Sequence, residues 1–315
     1  MLGPHKQVGR RAVLTAGLAG IAGVALPGCA LVPAGAPRVA PSPTATPLPG
    51  QVALGTLREA LASAAGTPWP DAHAALIAWA LGVTADQCVA VSLPAPTPVA
   101  ATATPPAEQA DPALVAALAE ALGSAATAFR EQSVAASSAH PLVWAAMATW
   151  ALVTADQLAD PIAAREPARS VLDPAEQSPD AARQAALDAC AEVSWGIEVA
   201  AGAPGLSADE MARARGRLDA WAGHADALRE ALGPTPTPHV TPAQPWYELD
   251  RPADATAARA LLARLEADAL PVLGRSFAFG EASPRPPLLD ALADAAADVP
   301  RWGGLVERWP GLPAS

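Results

Sequence analysis

The sequence predicts an all-α protein made of two groups of four helices. Alanine dominates every segment, and aromatic residues that favour strands are scarce, with one Tyr and three Phe in 315 residues. Apolar residues recur at spacings of three and four, which is typical of a helix packed on one face. Three Pro- and Thr-rich stretches separate the periodic segments and predict a tether and two links, over 32–50, 93–112 and 233–245.

The four C-terminal helices have the clearest periodicity. Ser207 and Glu210 predict a capping box at the start of the second of them, and Gly233-Pro234 predicts its end. Its apolar stripe is Met211, Ala214, Leu218, Trp221, Ala225, Leu228 and Leu232. The first, third and fourth helices have equivalent stripes over 182–197, 261–273 and 288–302. Four amphipathic helices of this kind predict a bundle.

The lengths of the links predict how these four helices are connected. The first pair is joined by the short AGAPG and the second pair by the short stretch 280–287, whereas the middle link 233–250 is long. Short, long, short is the connectivity of a ferritin-like bundle, whose crossover runs the length of a ~25-residue helix, about 38 Å. We therefore expect a ferritin-like four-helix bundle over 174–315.

The same order of periodic segments, short connections and a Pro- and Thr-rich link occurs upstream, although the helical spacing is less regular. Segments 54–65 and 71–92 form a pair across GTPWP, and segments 112–137 and 141–158 form a pair across SSAHP. We therefore expect an N-terminal helical region over 53–160. The sequence leaves open whether this region closes as its own bundle or packs on the C-terminal group.

The first 28 residues have the layout of a secretory signal. Lys6, Arg10 and Arg11 form a positively charged region, the apolar run 12–26 follows, and LPGC closes it. The apolar run is shorter than the ~20 residues that a membrane-spanning helix needs. These features predict a signal peptide that is removed.

Two motifs in this leader indicate an export route and an anchor. GRRAVL resembles the twin-arginine motif, and LPGC resembles a lipobox that ends at Cys29. We therefore predict a signal peptide over 1–28, lipidation of Cys29 and a Pro-rich tether over 29–52. The expected location is the outer face of the cytoplasmic membrane, with the lipid as the contact to the membrane.

The charge balance argues against nucleic acid as a partner. The chain has 20 Lys and Arg against 31 Asp and Glu, a net charge of -11, and the leader removes three of the basic residues, so 17 minus 31 leaves -14. Nucleic-acid binding depends on clustered Lys and Arg, and the sequence has no basic cluster. The acidic balance also disfavours binding to anionic lipid by charge, so the acyl chains at Cys29 would hold the protein.

Two cysteines remain after Cys29. Cys88 and Cys190 could form one disulfide in an oxidising envelope, or stay free as small buried hydrophobes. Their spacing does not decide between the two, and no CxxC or Cys/His cluster indicates zinc.

The C-terminal part resembles a known family. The segments that carry the resemblance are WGIEVAAG, RLDAWAGHADALREALG, YELDRPADATAARALLARLEADA and the terminal RWGGLVERWPGLP. From about residue 181 to the end, the chain resembles an uncharacterised actinobacterial domain usually described as ferritin-like, whose members are often exported lipoproteins. The resemblance implies a fold and a location, and it implies no activity.

A ferritin-like fold raises the hypothesis of a di-iron or di-manganese centre. Such a site needs Glu-x-x-His on two of the four helices, and no Glu in this chain has a His three residues later. The stripes are expected to be apolar, with Trp221 where the family tends to place a His. The weak metal candidates are Glu192, His224 and Glu266, with Asp219 and Asp226 beside them. A solvated helix face is the alternative interpretation for all five.

Other signatures of catalysis are missing from the sequence. It contains no G-x-S-x-G, no Gly-rich phosphate loop and no S-x-x-K with its usual partners. Trp144 and Trp150 lie in the apolar HPLVWAAMATWALV and predict either core packing or a docking surface, and Trp302 and Trp309 predict packing that holds the C-terminal tail.

These patterns favour a non-enzymatic lipoprotein that binds or scaffolds an unidentified protein or ligand of the cell envelope, with no cofactor. The alternative hypothesis is a ferritin-like metal-binding protein or oxidoreductase with a degenerate di-metal site.

Overall fold

The protein folds as eight helices in the part of the chain that the computed structural model describes. The described residues are 46–93, 106–135, 138–161, 165–167, 174–232, 247–280 and 282–313. The helices are α1 Pro49–Ala65, α2 Asp71–Ala90, α3 Pro112–Val134, α4 Pro141–Gln157, α5 Pro179–Ala201, α6 Ala208–Leu232, α7 Ala255–Phe279 and α8 Arg285–Arg301. Within these ranges, the predicted all-α class is confirmed. The predicted signal peptide, the lipidation site Cys29 and most of the tether lie outside the described residues.

The helix starts follow the local sequence. At α6 the predicted capping box forms, because the backbone N–H of Glu210 donates to Ser207 Oγ at 3.2 Å and the backbone N–H of Ser207 donates to Glu210 Oε2 at 2.8 Å. Helices α3, α5 and α7 have side-chain caps from Asp111, Ser178 and Asp254. Helix α1 begins at Pro49, inside the predicted tether, because proline suits the first turn of a helix.

Helices α5 to α8 form a ring in which neighbours run antiparallel. Helix α5 packs on α6 and α7, and α8 packs on the same two helices from the other side. Ser276 Oγ, near the end of α7, donates to the carbonyl of Ala182, near the start of α5, at 2.7 Å. Ser283 Oγ, just before α8, donates to the carbonyl of Ala231, near the end of α6, at 2.8 Å.

Helices α6 and α7 lie diagonally across this ring and start at the same end. Arg259 Nη1 in the first turn of α7 lies 2.7 Å from Glu210 Oε1 in the first turn of α6. The end of α6 and the start of α7 therefore lie at opposite ends of the bundle, about 38 Å apart for a helix of 25 residues.

Helices α1 to α4 repeat this neighbour order. Helix α1 packs on α2 and α3, and α4 packs on α3 and α2. Gln51 Nε2 at the start of α1 donates to the carbonyl of Val91 after the end of α2, at 2.8 Å. His73 Nε2 near the start of α2 lies 3.1 Å from the carbonyl oxygen of Leu158 after the end of α4. The two groups of four helices therefore share one topology.

Helix α4 joins the two groups into one unit. It is buried almost all round, with Trp144 and Trp150 exposing 3% and 0%, because α7 and α8 cover the face that α3 leaves free. Buried apolar residues from all eight helices belong to one continuous core, and the chain from Thr46 onward is one compact unit. Helices α2 and α3 are long and apolar enough to cross a membrane, a test that core helices also pass.

The C-terminal tail folds back over α7. Trp302 and Trp309 are buried, and Gly311 has a φ of +86°, which favours glycine. The backbone of Gly311 lies directly against Gly274 of α7, where no side chain would fit. Arg308 Nη1 lies 2.6 Å from Asp86 Oδ2 of α2, so the tail also contacts the first group.

Candidate functional site

A buried guanidinium occupies the interior of the C-terminal bundle. Arg217 of α6 is 7% exposed, and it faces Glu266 of α7, which is 1% exposed. Arg217 Nε donates to Glu266 Oε1 and Arg217 Nη2 donates to Glu266 Oε2, both at 2.9 Å. Two parallel hydrogen bonds of this kind are the strongest form of an Arg-carboxylate pair.

A second buried carboxylate completes the charge balance. Arg217 Nε is also ion-paired with Asp298 of α8, which is 3% exposed. Asp298 Oδ1 lies 3.3 Å from Arg301 Nη1, and Arg301 Nη2 lies 3.0 Å from Asp156 Oδ2 of α4. The ion cluster therefore extends from the centre of the C-terminal bundle to the N-terminal group. This ion cluster consists of Arg217, Glu266, Asp298, Arg301 and Asp156.

Aromatic residues enclose the cluster on the α6 side. The indole N–H of Trp221 donates to both oxygens of Glu266 at 3.2 Å, and its ring centroid lies 5.5 Å from Cζ of Arg217. The His224 ring packs edge-on against Trp221, and its Nε2 lies 2.9 Å from Asp294 Oδ2. Each charged group at this site therefore has a partner of opposite charge or a hydrogen-bond donor.

The charges of the cluster set the protonation of its members. Burial acts to lower the pKa of Arg217, but the hydrogen bond and charge of Glu266 and the charge of Asp298 outweigh burial and raise that pKa above its ordinary value. Burial raises the pKa of Glu266, and the contact with Arg217 opposes that rise. The hydrogen bond from His224 lowers the pKa of Asp294. Arg217 is therefore a permanent cation in the core.

This arrangement does not fit a di-iron or di-manganese centre. Both oxygens of Glu266 already bind Arg217 and Trp221, and a metal cation beside them would be repelled by the guanidinium. No group of three or more metal-ligating side chains occurs among the described residues. The geometry suits structural neutralisation of buried charge.

The structure separates the five predicted candidates. Glu192, Asp219 and Asp226 are exposed, as the solvated-face interpretation expects. That interpretation is wrong for Glu266, which is buried, and for His224, whose side chain is 12% exposed. The structure brings His224 and Glu266 to the same part of the bundle, where both contact Trp221, and it places Glu192 on the solvent face of α5.

The prediction of wholly apolar stripes is also wrong. Arg217 lies four residues before Trp221 and Asp298 lies three residues after Ala295, so both belong to the inward faces of their helices. Arginine is not a metal ligand, so the pattern of metal-ligating residues in the sequence does not include Arg217. The signal that would have found the cluster is one acid or base within each apolar stripe of three helices in one bundle.

The two described cysteines are separate. Cys88 lies on α2 and Cys190 on α5, and both are buried free thiols, so the disulfide left open by the sequence is not formed in this structure. Burial raises the pKa of Cys88, and it raises the pKa of Cys190 to about 12. Neither thiol is a nucleophile at neutral pH.

Comparison with family models, with curated proteins and with solved structures gives no match for this chain.

Proposed function

We propose that this chain is an exported lipoprotein of the bacterial cell envelope, whose helical unit binds or scaffolds an envelope component without metal-dependent chemistry. The leader supports this proposal, since a basic region, an apolar run and a lipobox-like LPGC occur in the order that export and lipidation require. Cys29 would then carry the acyl chains, and the following Pro-rich residues would separate the folded unit from the membrane.

The observation that carries the metal-free part of the proposal is Arg217. In a four-helix bundle that holds two metals, carboxylates and histidines from all four helices converge on the core. Here a fixed guanidinium supplies the positive charge between Glu266 and Asp298. Both oxygens of Glu266 are therefore engaged by Arg217 and Trp221, and Glu266 offers no free ligand for a metal.

We further propose that α5 to α8 form a ferritin-like bundle related to the actinobacterial family that the sequence resembles. The antiparallel ring and the long link between the diagonal helices α6 and α7 support this assignment. The same neighbour order in α1 to α4 suggests that the chain contains two copies of this topology.

Elemental analysis tests the metal-free proposal against the alternative of a metal carrier or oxidoreductase. The mature chain is purified anaerobically and offered iron, manganese and zinc. We expect substoichiometric metal for the natural sequence. Tightly bound metal near two atoms per chain would contradict the proposal, and Glu266→Gln and His224→Ala variants would then show which ligands hold it.

A second experiment tests export and anchoring. We expect the full chain, expressed in a host with a twin-arginine pathway, to reach the membrane fraction with an acyl mass on Cys29. Cys29→Ser should abolish the acyl mass, and replacing Arg10 and Arg11 by Lys should leave the precursor unprocessed. A natural chain that keeps its leader and carries no lipid would disprove the anchor.

A further inference from the structure

Four exposed apolar side chains lie at one end of the N-terminal group. They are Leu48, Val52, Val89 and Val134, with exposures of 44%, 58%, 63% and 36%. We call this end, defined by those four residues, the apolar end. Exposed apolar side chains that gather at one place on a protein indicate a contact surface.

Two contacts place these residues at the same end. The hydrogen bond from Gln51 to the carbonyl of Val91 joins the start of α1 to the end of α2. Gly50, also at the start of α1, lies against the ring of Trp144 in the first turn of α4, and α3 ends just before α4 begins. The starts of α1 and α4 and the ends of α2 and α3 are therefore neighbours.

The opposite end of the same group is acidic. The contact between His73 and Leu158 joins the start of α2 to the end of α4, and the start of α3 follows nearby, where the backbone N–H of Ala107 donates to the carbonyl of Trp69 at 3.2 Å. The exposed acids at this end are Asp71, Glu108, Asp111 and Asp160, together with Asp156, which is ion-paired with Arg301. The apolar end carries Asp86, which is ion-paired with Arg308, and Glu131.

The tether enters at the apolar end. Thr46 is the first described residue, and Leu48 follows it by two positions. Seventeen peptide steps separate Cys29 from Thr46, since 46 minus 29 is 17, and this length reaches at most about 60 Å when fully extended. An anchor at Cys29 therefore keeps the apolar end within reach of the bilayer surface, at a high effective concentration.

We propose that the apolar end is a membrane-contact surface, at which Leu48, Val52, Val89 and Val134 enter the interface of the bilayer that holds the lipid on Cys29. The proposal rests on the proposed lipid anchor. The acyl chains on Cys29 would hold the chain at the bilayer, and shallow apolar contact would set the orientation of the folded unit on its surface.

The test measures contact with lipid independently of lipidation. Residues 29–315 carry Cys29→Ser and an N-terminal hexahistidine tag, which anchors the chain to phosphatidylethanolamine and phosphatidylglycerol vesicles containing a nickel-chelating lipid. The chain from Thr46 has its own continuous core, so it does not need the leader to fold. A polarity-sensitive fluorophore is placed at Val89→Cys. The matched control is Leu114→Cys, which is 37% exposed and lies in the first turn of α3, at the acidic end.

We expect a blue shift at Val89→Cys on the vesicles and quenching by a spin-labelled lipid, with neither effect at Leu114→Cys. Adding Val52→Glu should reduce the quenching at Val89→Cys several-fold. Unchanged emission at Val89→Cys, equal quenching at both sites, or quenching that Val52→Glu does not alter would overturn the proposal. The proposed lipid anchor is tested by a different measurement, the mass of the full chain. If Cys29 carries no acyl mass there, the anchor is disproved whatever the fluorescence result.

Discussion

At the scale of single residues, the interior of the C-terminal bundle depends on compensation of charge. Arg217 has two carboxylate partners, Glu266 and Asp298, and all three side chains are nearly removed from water. A buried charge costs several kcal/mol in desolvation, and close partners recover most of that cost. Removing one partner therefore does more harm than the net contribution of the pair suggests.

Replacing Arg217 tests this compensation. Arg217→Met keeps the length of the side chain but leaves Glu266 and Asp298 without their cation, so we expect the free energy of unfolding to fall by about 3–5 kcal/mol. Urea denaturation followed by circular dichroism measures the change. Arg229→Met is the matched control, because the pair of Arg229 with Asp226 is 61% and 79% exposed and contributes at most about 1 kcal/mol. If Arg217→Met lost no more free energy of unfolding than Arg229→Met, the buried carboxylates would not depend on Arg217 for their charge balance.

The two thiols provide a second test at this scale. Because burial raises the pKa of Cys88, and that of Cys190 to about 12, neither should react with a thiol reagent in the native protein near pH 8. In urea, the Cys29→Ser chain should release two equivalents of reporter. Fast reaction of either thiol in the native state would contradict its burial. If the unfolded chain released no reporter in urea, Cys88 and Cys190 would be joined in a disulfide.

At the scale of elements, helix ends and close helix contacts carry specific residues. The capping box of α6 satisfies the first backbone donors of that helix, and Arg259 of α7 binds the same Glu210. At the other end of α7, Gly274 lets the tail pass directly over the helix. The contact of Arg259 with Glu210 thus holds the start of α7, and the lack of a side chain at Gly274 allows the tail to pack near its end.

The capping contact predicts a dependence of stability on pH. Hydrogen bonds from the backbone N–H of Ser207 and from Arg259 lower the pKa of Glu210 from 4.5 to about 2. A carboxyl whose folded-state pKa is depressed stabilises the protein above its unfolded-state pKa and loses this effect as pH falls. The contribution of Glu210 should therefore be complete above pH 4.5 and disappear as pH falls towards 2.

Unfolding by urea across this pH range, for the natural chain and Glu210→Gln, measures the contribution. The difference in stability between the two should shrink as pH falls. Glu230→Gln, which removes an exposed acid from the other end of α6, controls for the general loss of a surface charge. A difference that stays constant with pH would contradict the prediction.

Gly274 predicts a large effect from a single methyl group. In Gly274→Ala the new Cβ would collide with the backbone of Gly311, so we expect the protein to lose about 1–3 kcal/mol as the tail shifts. Gly223→Ala is the control, since a Cβ there meets no atom within 4 Å, and alanine should stabilise α6 by up to about 1 kcal/mol. Thermal unfolding measures both. Equal melting temperatures for the two variants would contradict the close contact.

At the scale of the whole molecule, two groups with one topology share a single core. Helix α4 belongs to the first group by its packing on α3 and to the second by its packing on α8. The pairs Arg130–Asp290 at 2.6 Å and Arg301–Asp156 at 3.0 Å cross the same boundary. Neither group can lose its structure without exposing buried residues of the other.

The shared core predicts one unfolding transition. Tryptophan fluorescence and far-ultraviolet circular dichroism of the mature chain in urea should give coincident curves, because buried tryptophans lie in both groups. Chains with independent domains instead unfold in separate steps. Two resolved transitions, or curves that do not coincide, would show that the groups are independent.

The sequence determined the helices. Spacings of three and four and the Ser207–Glu210 box predicted the helices, and the segments 71–92, 112–137 and 141–158 match α2, α3 and α4 to within three residues at each end. These signals are local, since hydrogen bonding and side-chain direction within a helix depend on residues close in sequence. The early start of α1 was missed because a Pro-rich composition predicts a tether, whereas Pro49 also suits the first turn of a helix.

Only the tertiary structure decided the pairing of distant residues. Helical periodicity places Arg217, Glu266 and Asp298 on the inward faces of three helices, but it does not say that they meet. It also does not say that α4 is covered by α8 of the same chain and not by a partner. Which helix faces meet depends on how side chains pack and how buried charges pair across the whole core. These contacts join residues that are far apart in sequence, so no local stretch of sequence determines them.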